Sequence, residues 1–485
     1  MCSTLGTVDI HLTLDRRGDL SGEIYRQLRE RILDGRLRAG DQVPPSRELA
    51  RRVDVSRATV VVAYDRLAGE GFLESRVGAG TFVSDQVVPP SRWLARRTPT
   101  DPVLRPRPLW NEVRIPPVDE PPEYDFRPGI PDSRQFPYDT WRRLLGRELH
   151  ARRVGDGSYG DPGGHRGLRA AIAGHIGLSR GVTAGVEDIT ITNGTQQAVD
   201  LIARVLVEPG DQVAVEDPGY PPPARLFRSL GARVVGVPVD GEGLVVDALP
   251  ARTRLVHVSP SHQFPLGTSM SLRRRLALLD WAQVHDAAII EDDYDSEFRF
   301  DSRPVEPLRT LDTHGRVLYV GSFSKTMLAT LRLGFVAAPA SLHHAIRAAK
   351  FVTDWHTSLP TQAALARFID EGWFARHLRR MRSVYQERHE LVVAAIEKDF
   401  AGILTPIPGS AGLHVTALAD VATPAEVDAV AHHAAEAGVG VHTLTAYACG
   451  DTVPAGLVLG YGSIATDRIS AGMDRLRAAF TAPNR

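Results

Sequence analysis

A lysine stands directly after a short apolar segment, in the most specific chemical signal of this sequence. The run GSFSK at 321–325 follows the apolar residues VLYV at 317–320, and LRLG follows at 331–334. A lysine amine forms an imine with an aldehyde, while serine hydroxyls and an arginine guanidinium can hold a phosphate dianion. Lys325, Ser322 and Arg332 therefore predict a site for an aldehyde that carries a phosphate group.

Lysine is scarce in this chain, which narrows the choice of nucleophile. Among the 57 lysines and arginines only Lys325, Lys350 and Lys398 are lysines, and arginine forms no stable imine. Lys350 and Lys398 lie in charged segments with helical patterning, so we expect both to face solvent. Lys325 is then the one plausible imine former, and the competing interpretation is a surface lysine in a turn.

An acid and a phenol follow another apolar strand, which is predicted at 288–291. Asp292 can pair with a protonated pyridine nitrogen, and Tyr294 can hydrogen-bond a ring hydroxyl. Acidic residues at strand ends also bind metals or cap helices, so this pair alone does not decide between these roles.

A glycine-containing turn follows the strand predicted at 188–192. The turn NGTQQ at 193–197 contains Gly194, Thr195 and Gln196, and a helix is expected after it. The backbone N–H groups of a helix N-terminus favour phosphate. Many α/β crossovers share this pattern. Taken with the lysine and the acid, it indicates a site for pyridoxal 5′-phosphate, and we predict no metal site.

From about residue 85 onwards, two stretches of the chain differ in proline content and in the secondary structure that they predict. Residues 85–122 contain ten of the 34 prolines, so this segment cannot be helical throughout and we interpret it as a semi-stiff extended linker. Residues 123–485 alternate helical segments with short apolar strands, which predicts an α/β fold with a mostly parallel sheet. The predicted strands are 188–192, 212–215, 255–258, 288–291 and 317–320.

Residues 11–84 predict the order helix, helix, turn, helix and hairpin. A helical stripe spans 21–34, Ser46 is expected to cap a second helix, and Ser56 is expected to cap a third at 57–69. Two short strands then flank the glycine-rich run VGAG at 77–80. This is the order of a winged helix-turn-helix, whose third helix enters the major groove of DNA.

The charge of this segment is only modestly basic, with thirteen arginines against eleven acidic residues. DNA binding would therefore need a dimer and specific contacts. The alternative is a helical docking domain with a solvated arginine-rich face, but the capped turn and the glycine-tipped wing favour DNA.

The stretch GRLRAGDQVPPSRELARRVDVSRATVVVAYDRLAGEGFLESRVGAGTFVS resembles the GntR family of bacterial winged-helix repressors almost position for position. The resemblance implies DNA contacts from Arg47, Ser56, Arg57, Thr59 and the wing around Gly78.

The glycine, acid and lysine segments also occur in the order found in fold-type I aminotransferases, and this resemblance covers residues 123–485. It implies that fold, with a smaller C-terminal subdomain, and a homodimer. The cofactor-binding residues that it implies are Gly194, Thr195, Gln196, Ser322 and Arg332 at the phosphate, Tyr220 stacked on the ring, Asp292 at the ring nitrogen, Tyr294 at O3′, Lys325 as the Schiff-base lysine, and Tyr159 from the partner subunit.

Three residues depart from the pattern of working aminotransferases. Phe264, in SPSHQFPLG, stands where those enzymes carry an asparagine that bonds O3′, and Val458 replaces the C-terminal arginine that holds the substrate carboxylate. Pro222 replaces an arginine that GABA-responsive relatives carry two residues after the stacking tyrosine. Burying a carboxylate without a charged partner is costly, so we expect no GABA response and at most weak transaminase activity.

A GntR head joined to an aminotransferase-like domain resembles the MocR/GabR subfamily of transcription regulators. The resemblance implies a DNA-binding regulator that senses an amine or amino-acid-like effector through an aldimine at Lys325, or senses pyridoxal phosphate itself, as the PdxR-type controllers of vitamin B6 synthesis do. One alternative is an active aminotransferase that carries a DNA-binding head. Another is a dimerisation scaffold without a cofactor.

The composition sets further limits. Lysine plus arginine and aspartate plus glutamate nearly balance, giving a net charge of −1 over 485 residues, so any DNA contact must be made by a local face. Two cysteines exclude a disulfide scaffold. We see no apolar run near the ~20 residues of a membrane span and no signal peptide pattern, so we expect a cytoplasmic protein with no membrane partner.

Overall fold

The chain divides into two units, residues 1–111 and 112–485, which are considered separately below. The computed structural model describes residues 10, 12–14, 18–76, 78–85, 104–113, 115, 120–154, 156–300, 306–409, 411–450 and 453–481. Most of the predicted proline-rich linker at 85–122 lies outside the described residues, and so does Val77 in the predicted wing tip.

The small unit contains the helices and the hairpin in the predicted order. Its elements are α1 (Leu20–Leu33), β1 (Gln42–Val43), α2 (Ser46–Arg52), α3 (Arg57–Gly69), β2 (Leu73–Arg76) and β3 (Gly80–Val83), and α4 (Leu109–Glu112) is a single turn at the unit boundary. The three strands form an antiparallel sheet in the order β1-β3-β2. Ile24 and Leu28 of α1 are buried in one core with Val60 and Leu67 of α3, so the apolar stripes of the two helices hold the unit together.

The two predicted helix caps had different outcomes. Ser56 caps α3 as expected, because its hydroxyl accepts the backbone N–H of Thr59 at 3.1 Å. The prediction for α2 was wrong by one residue: Ser46 is the first helical residue and its side chain does not cap the helix. The carbonyl of Pro45 instead accepts the N–H groups of Glu48 and Leu49, so the backbone closes the first turn without a side chain.

The large unit is an α/β structure with two main sheets. Its helices are α5 (Tyr138–Glu148), α6 (Ala151–Val154), α7 (Arg166–Arg180), α8 (Gly194–Leu206), α9 (Pro221–Ser229), α10 (Leu272–Val284), α11 (Leu308–Leu311), α12 (His343–Thr353), α13 (Leu359–Asp370), α14 (Trp373–Asp399), α15 (Pro424–Glu436) and α16 (Ile469–Thr481). Its strands are β4 (Tyr124–Asp125), β5 (Ile189–Thr192), β6 (Gln212–Asp217), β7 (Arg233–Asp240), β8 (Gly243–Leu244), β9 (Thr253–Val258), β10 (Ala288–Asp293), β11 (Val317–Ser322), β12 (Gly334–Ala337), β13 (Leu404–Pro406), β14 (His414–Ala419), β15 (Val439–Gly440), β16 (His442–Thr443) and β17 (Gly456–Gly460).

The larger sheet has the strand order β5-β12-β11-β10-β9-β6-β7-β8. Strands β11, β10, β9, β6 and β7 are parallel, while β12 runs antiparallel to both of its neighbours and β8 is antiparallel to β7. The smaller sheet, β13-β14-β17-β16, is antiparallel. The mostly parallel sheet and the smaller C-terminal sheet agree with the expected α/β fold.

The parallel strands place the chemically important residues at one edge of the larger sheet. Asp292 of β10 pairs in register with Val320 of β11, so the carboxyl end of each strand reaches the same edge. Both strands run two residues further than predicted, and Asp292 therefore belongs to its strand instead of following it.

In the described part of the chain, no helix combines the length and apolar character that crossing a membrane requires.

Candidate cofactor site and DNA-binding surface

Lys325 lies in the turn that follows β11, with its amine inside the large unit. The Nζ donates a hydrogen bond to the carbonyl of Gly129 at 2.6 Å. Burial lowers the pKa of Lys325, and the neighbouring Asp295 and Asp292 oppose that effect only in part. A lysine becomes nucleophilic when burial disfavours its ammonium form. The environment of Lys325 therefore favours the neutral amine, which can react with a carbonyl group.

The three consecutive acids of β10 point to different surroundings because side chains alternate along a strand. Glu291 accepts two backbone N–H groups at 2.8 and 2.9 Å, and Asp293 is paired with Arg180 at 2.9 Å. Asp292 lies on the opposite face, lines a cavity, and has one buried oxygen without a hydrogen-bond partner among the described residues. The Nε2 of His257 is 3.6 Å from its other oxygen. A ring N–H donor fits this unsatisfied acceptor.

The start of α8 and Arg332 form a cradle for an anion. Gly194 has a left-handed φ of +73°, and a Cβ there would lie 2.9 Å from the guanidinium of Arg332. Arg332 donates to the carbonyl of Asn193 at 3.2 Å, and no side chain caps the helix. The free N–H groups of the first turn and this guanidinium are the donors that a phosphate requires.

Lys350 corrects one expectation about the lysines. It was expected to face solvent, but its side chain is fully buried on α12 and pairs with Asp354 at 2.5 Å. Asp354 in turn accepts from Gln197 at 2.8 Å, and Gln197 accepts the N–H of Asn193 at 2.7 Å. Lys350 thus supports the turn before α8 and does not line the cavity, whereas Lys398 is exposed as expected.

An aromatic cluster lies beside the lysine. Tyr220 precedes α9 and packs edge-on against Phe264 at 6.0 Å between ring centroids, and Phe264 is 6.3 Å from Tyr294. Tyr447 packs on the same phenylalanine at 4.9 Å. These rings all line the cavity, and their edge-on packing gives it an aromatic wall.

A single cavity of about 480 Å³ brings most of the predicted site residues together. The predicted residues that line it are Thr195, Gln196, Tyr220, Asp292, Tyr294, Ser322, Lys325 and Arg332. Gly194 is in the adjoining cradle. Tyr159 does not line the cavity: its ring is 74% exposed and stacks on Trp355 at 4.4 Å.

The position that lacks the C-terminal arginine is filled by apolar packing. Val458 of β17 is fully buried beside Leu266 and Tyr447. Its cross-strand neighbour His442 lines the cavity, and burial lowers the pKa of that histidine. This wall therefore offers neutral hydrogen-bonding groups in place of a guanidinium.

Sequence reasoning missed several residues that line the cavity. Gly129, Arg225, Asp295 and His414 come from four separate segments, and none belongs to a spacing pattern that predicts a site. Arg225 lies one helical turn beyond Pro222 on α9, which is the only signal that placed it near the predicted site.

The expected DNA-contacting residues lie on the surface of the small unit. Arg47, Ser56 and Arg57 are exposed near the start of α2 and α3, and Thr59 is half-buried beside the cap. Gly78 is exposed at the wing with a left-handed φ of +76°. Their surface placement leaves backbone and side-chain donors accessible to a DNA duplex.

Comparison with known proteins matches both units. A model of the bacterial regulatory proteins, gntR family, matches residues 20–83, and one of aminotransferase class I and II matches residues 132–453. The chain is 40% identical over 482 residues to the probable rhizopine catabolism regulatory protein MocR of Rhizobium meliloti, covering 97% of this chain and 96% of that protein. It belongs to the MocR/GabR subfamily of GntR-type transcription regulators.

Other relatives agree with this assignment. The MocR-type chain is 33% identical to the pyridoxine biosynthesis regulator PdxR of Corynebacterium glutamicum, with 91% of each protein covered. Its large unit resembles the Pyrococcus horikoshii kynurenine aminotransferase, solved with PMP, with a TM-score of 0.67 and 27% identity over 74% of this chain and 90% of that one.

Several predictions from the sequence are thereby confirmed. The MocR-type chain is a DNA-binding transcription regulator, its large unit has the fold of class I and II aminotransferases, and its cofactor is pyridoxal phosphate. The unsatisfied oxygen of Asp292 and the cradle at Gly194 fit that cofactor's ring nitrogen and phosphate.

Proposed function

We propose that Lys325 binds pyridoxal phosphate covalently and that the occupancy of this cavity controls DNA binding. One observation carries the proposal: the buried amine, the unsatisfied carboxylate of Asp292 and the anion cradle at Arg332 all meet at one cavity. These three groups match an aldehyde, a pyridine nitrogen and a phosphate on one small molecule.

Each predicted residue has a role in this proposal. Lys325 supplies the amine that bonds to the cofactor aldehyde, and the cofactor supplies an electron-withdrawing ring when bound. Asp292 holds the ring nitrogen, and Tyr220 and Tyr294 contact the ring and its hydroxyl. The phosphate is held by Gly194, Thr195, Gln196, Ser322 and Arg332.

The regulator is proposed to act as a homodimer in which Tyr159 completes the partner's phosphate site. The exposed Tyr159 stacks on Trp355, and the exposed Phe351 packs against the same ring. An exposed apolar patch of this kind marks an interface. A mixed dimer of Tyr159→Ala and Lys325→Ala protomers tests this. In this dimer the one intact Lys325 belongs to the Tyr159→Ala protomer, and the unmodified Tyr159 belongs to the partner. We expect that site to bind the cofactor with nearly normal affinity if Tyr159 acts across the interface, whereas an affinity as low as that of the Tyr159→Ala homodimer contradicts the proposal.

The small unit is proposed to contact the operator through Arg47, Ser56, Arg57, Thr59 and the wing at Gly78. Ser56 and Thr59 lie at the N-terminus of α3, where free N–H groups also favour a DNA phosphate. A footprint upstream of the neighbouring operon gives the operator and the regulated genes.

The effector is proposed to be pyridoxal phosphate itself or an amine that enters the same cavity. Relatives point both ways, since one is named for pyridoxine biosynthesis and another for rhizopine catabolism. Arg225 is the cation that lines the cavity besides Lys325 and Arg332, and among the described residues it has no acidic partner. An amine with a distant anionic group would pair with Arg225, whereas pyridoxal phosphate alone has no need of it.

Operator binding by the full-length protein tests the proposal and separates these effectors. We expect affinity for the operator to change when pyridoxal phosphate is added to the cofactor-free protein, or when amines are added to the loaded protein. Arg225→Gln should weaken a response to anionic amines and leave a response to pyridoxal phosphate intact, and Arg228→Gln on the same helix is the matched control. Equal operator affinity under all these conditions contradicts the proposal.

The second candidate function is transamination, which the aminotransferase fold favours. The buried Val458 and the neutral histidine beside it argue for slow turnover of ordinary amino acids. Rapid conversion of alanine or glutamate by the loaded protein, without a shift of its own upstream DNA, would support the enzyme over the regulator.

A further inference from the structure

A second buried carboxylate in the cavity is joined to Tyr294 through a histidine. The Nδ1 of His262 lies 2.9 and 3.2 Å from the two carboxylate oxygens of Asp295, and the hydroxyl of Tyr294 lies 3.1 Å from the same nitrogen. Asp295 and Tyr294 both line the cavity that holds Lys325. Neither His262 nor Asp295 is needed by the function proposed above.

The surrounding backbone fixes the histidine ring in this arrangement. A Cβ at Gly412 would lie 2.2 Å from the ring of His262 and 2.5 Å from Asp295, and Gly412 has a left-handed φ of +82°. The ring of His414 packs on the other side at 4.8 Å between centroids. Both His262 and Asp295 are almost fully buried, so both side chains are closely packed in this arrangement.

The hydrogen-bond count determines which atom donates. A buried carboxylate requires a donor, so Nδ1 of His262 carries a hydrogen that Asp295 accepts. The phenol O–H of Tyr294, 3.1 Å away, then finds no lone pair on that nitrogen and cannot donate to it. That O–H is left to donate into the cavity, and burial keeps the phenol neutral by raising the pKa of Tyr294.

We propose that Asp295 and His262 are positioning residues that hold Tyr294 as a hydrogen-bond donor to the O3′ oxygen of the cofactor. This inference rests on the proposed covalent binding at Lys325. A donor to O3′ competes with the bond between O3′ and the proton on the Lys325 nitrogen, so that nitrogen loses its proton at a lower pH. The Asp295–His262 pair thereby sets the protonation state in which an incoming amine finds the site.

Other titratable groups lie near the Lys325 nitrogen and the His262 ring, and they also influence the pKa values of these two groups. Asp292, Asp295 and Arg332 act on the Lys325 nitrogen. His414 and His389 face His262, and burial lowers the pKa of both, so that they stay neutral near pH 7. The substitutions chosen below leave the charges of Asp292, Arg332 and these two histidines unchanged.

The experiment is a pH titration of the visible absorption of the loaded, full-length protein. Tyr294→Phe should raise the pKa of the cofactor-bound nitrogen by about one pH unit, the value of a single hydrogen bond. His262→Gln should raise it in the same direction by a smaller amount. Asp295→Asn removes both the pair with His262 and a nearby negative charge, and these two changes shift the pKa of the cofactor-bound nitrogen in opposite directions. This variant therefore serves to test whether the protein folds and retains cofactor without the carboxylate.

A double variant separates positioning from direct action. If His262 acts through the phenol, Tyr294→Phe/His262→Gln should show the same pKa as Tyr294→Phe alone. An additive shift overturns the inference. His343→Gln removes a histidine that pairs with Asp188 at 3.1 Å outside the cavity, and it should leave the titration unchanged.

Two results distinguish this inference from the function on which it rests. If borohydride fixes no cofactor on Lys325 of the unmodified protein, the proposed function fails. If the cofactor is fixed and folded His262→Gln titrates like the unmodified protein, the proposed function stands and the positioning role is wrong. If His262→Gln does not retain cofactor, His262→Asn provides the same comparison with a shorter amide.

Discussion

The two units carry their functional residues in opposite ways. In the small unit the proposed DNA contacts fall within 47–78, on the surface of two helices and a wing. In the large unit the cavity is lined by residues from Pro128 to Tyr447, and most of them are buried or half-buried. A surface that meets a long polymer can be built locally, whereas a pocket that encloses a small molecule must close around it from several segments.

The largest expected effect tests whether the enclosed site depends on one atom. Lys325→Ala removes the amine and should abolish covalent cofactor binding, while the winged-helix surface stays folded. Mass spectrometry after borohydride treatment measures the first effect, and operator binding without cofactor measures the second. The exposed Lys398→Ala is the control, and covalent labelling that persists in Lys325→Ala contradicts the assignment.

A second prediction concerns the close contact between Gly194 and Arg332 in the anion cradle of the enclosed site. Gly194→Ala places a Cβ 2.9 Å from the guanidinium of Arg332 at a left-handed φ, so cofactor affinity should fall about tenfold or more. Equilibrium titration with pyridoxal phosphate measures the loss. Gly174→Ala, in an exposed helical position where a Cβ meets nothing within 4 Å, should leave affinity unchanged, and equal affinities in both variants would refute the cradle.

The third prediction tests the open surface of the small unit. Arg57→Ala should weaken operator binding about tenfold and reduce its salt dependence, with no effect on cofactor binding. Arg66→Ala, at the other end of α3 and paired with Glu70, is the matched control. Loss of cofactor binding in Arg57→Ala, or unchanged operator affinity, breaks the division of labour between the units.

The last prediction is a pH dependence of stability that comes from a buried acid of β6 in the large unit. Burial raises the pKa of Glu216 from its ordinary value of 4.5 to about 8. The folded protein therefore binds a proton that the unfolded chain releases, and this contribution to stability is lost as pH rises from about 4.5 to about 8. Relative to the unmodified protein, Glu216→Gln should gain stability over that range, and urea unfolding at several pH values measures it. The exposed Glu208→Gln should show no such trend, and a Glu216→Gln difference that does not vary with pH contradicts the buried, protonated state.

The sequence predicted the local elements of both units well because each has a local cause. The apolar stripe of α1 and the Ser56 cap of α3 depend on residues three or four apart, and those spacings are visible in the chain. The strands predicted at 288–291 and 317–320 are present, although each runs two residues further, to Asp293 and Ser322. The error of one residue at Ser46 arose because a backbone carbonyl replaced the side chain that was expected to cap the helix.

What the sequence by itself determined is the chemistry: a scarce lysine, an acid and a glycine-led helix, together with a winged-helix head. Tertiary structure alone decided which acid faces the ligand, because pleating turns Asp292 towards the cavity and Asp293 towards Arg180. It also decided that Lys350 is buried and that Gly129, Arg225 and His262 lie near Lys325 or its neighbours. These outcomes depend on contacts between segments that are about 30 to 200 residues apart, and no local spacing in the chain records them.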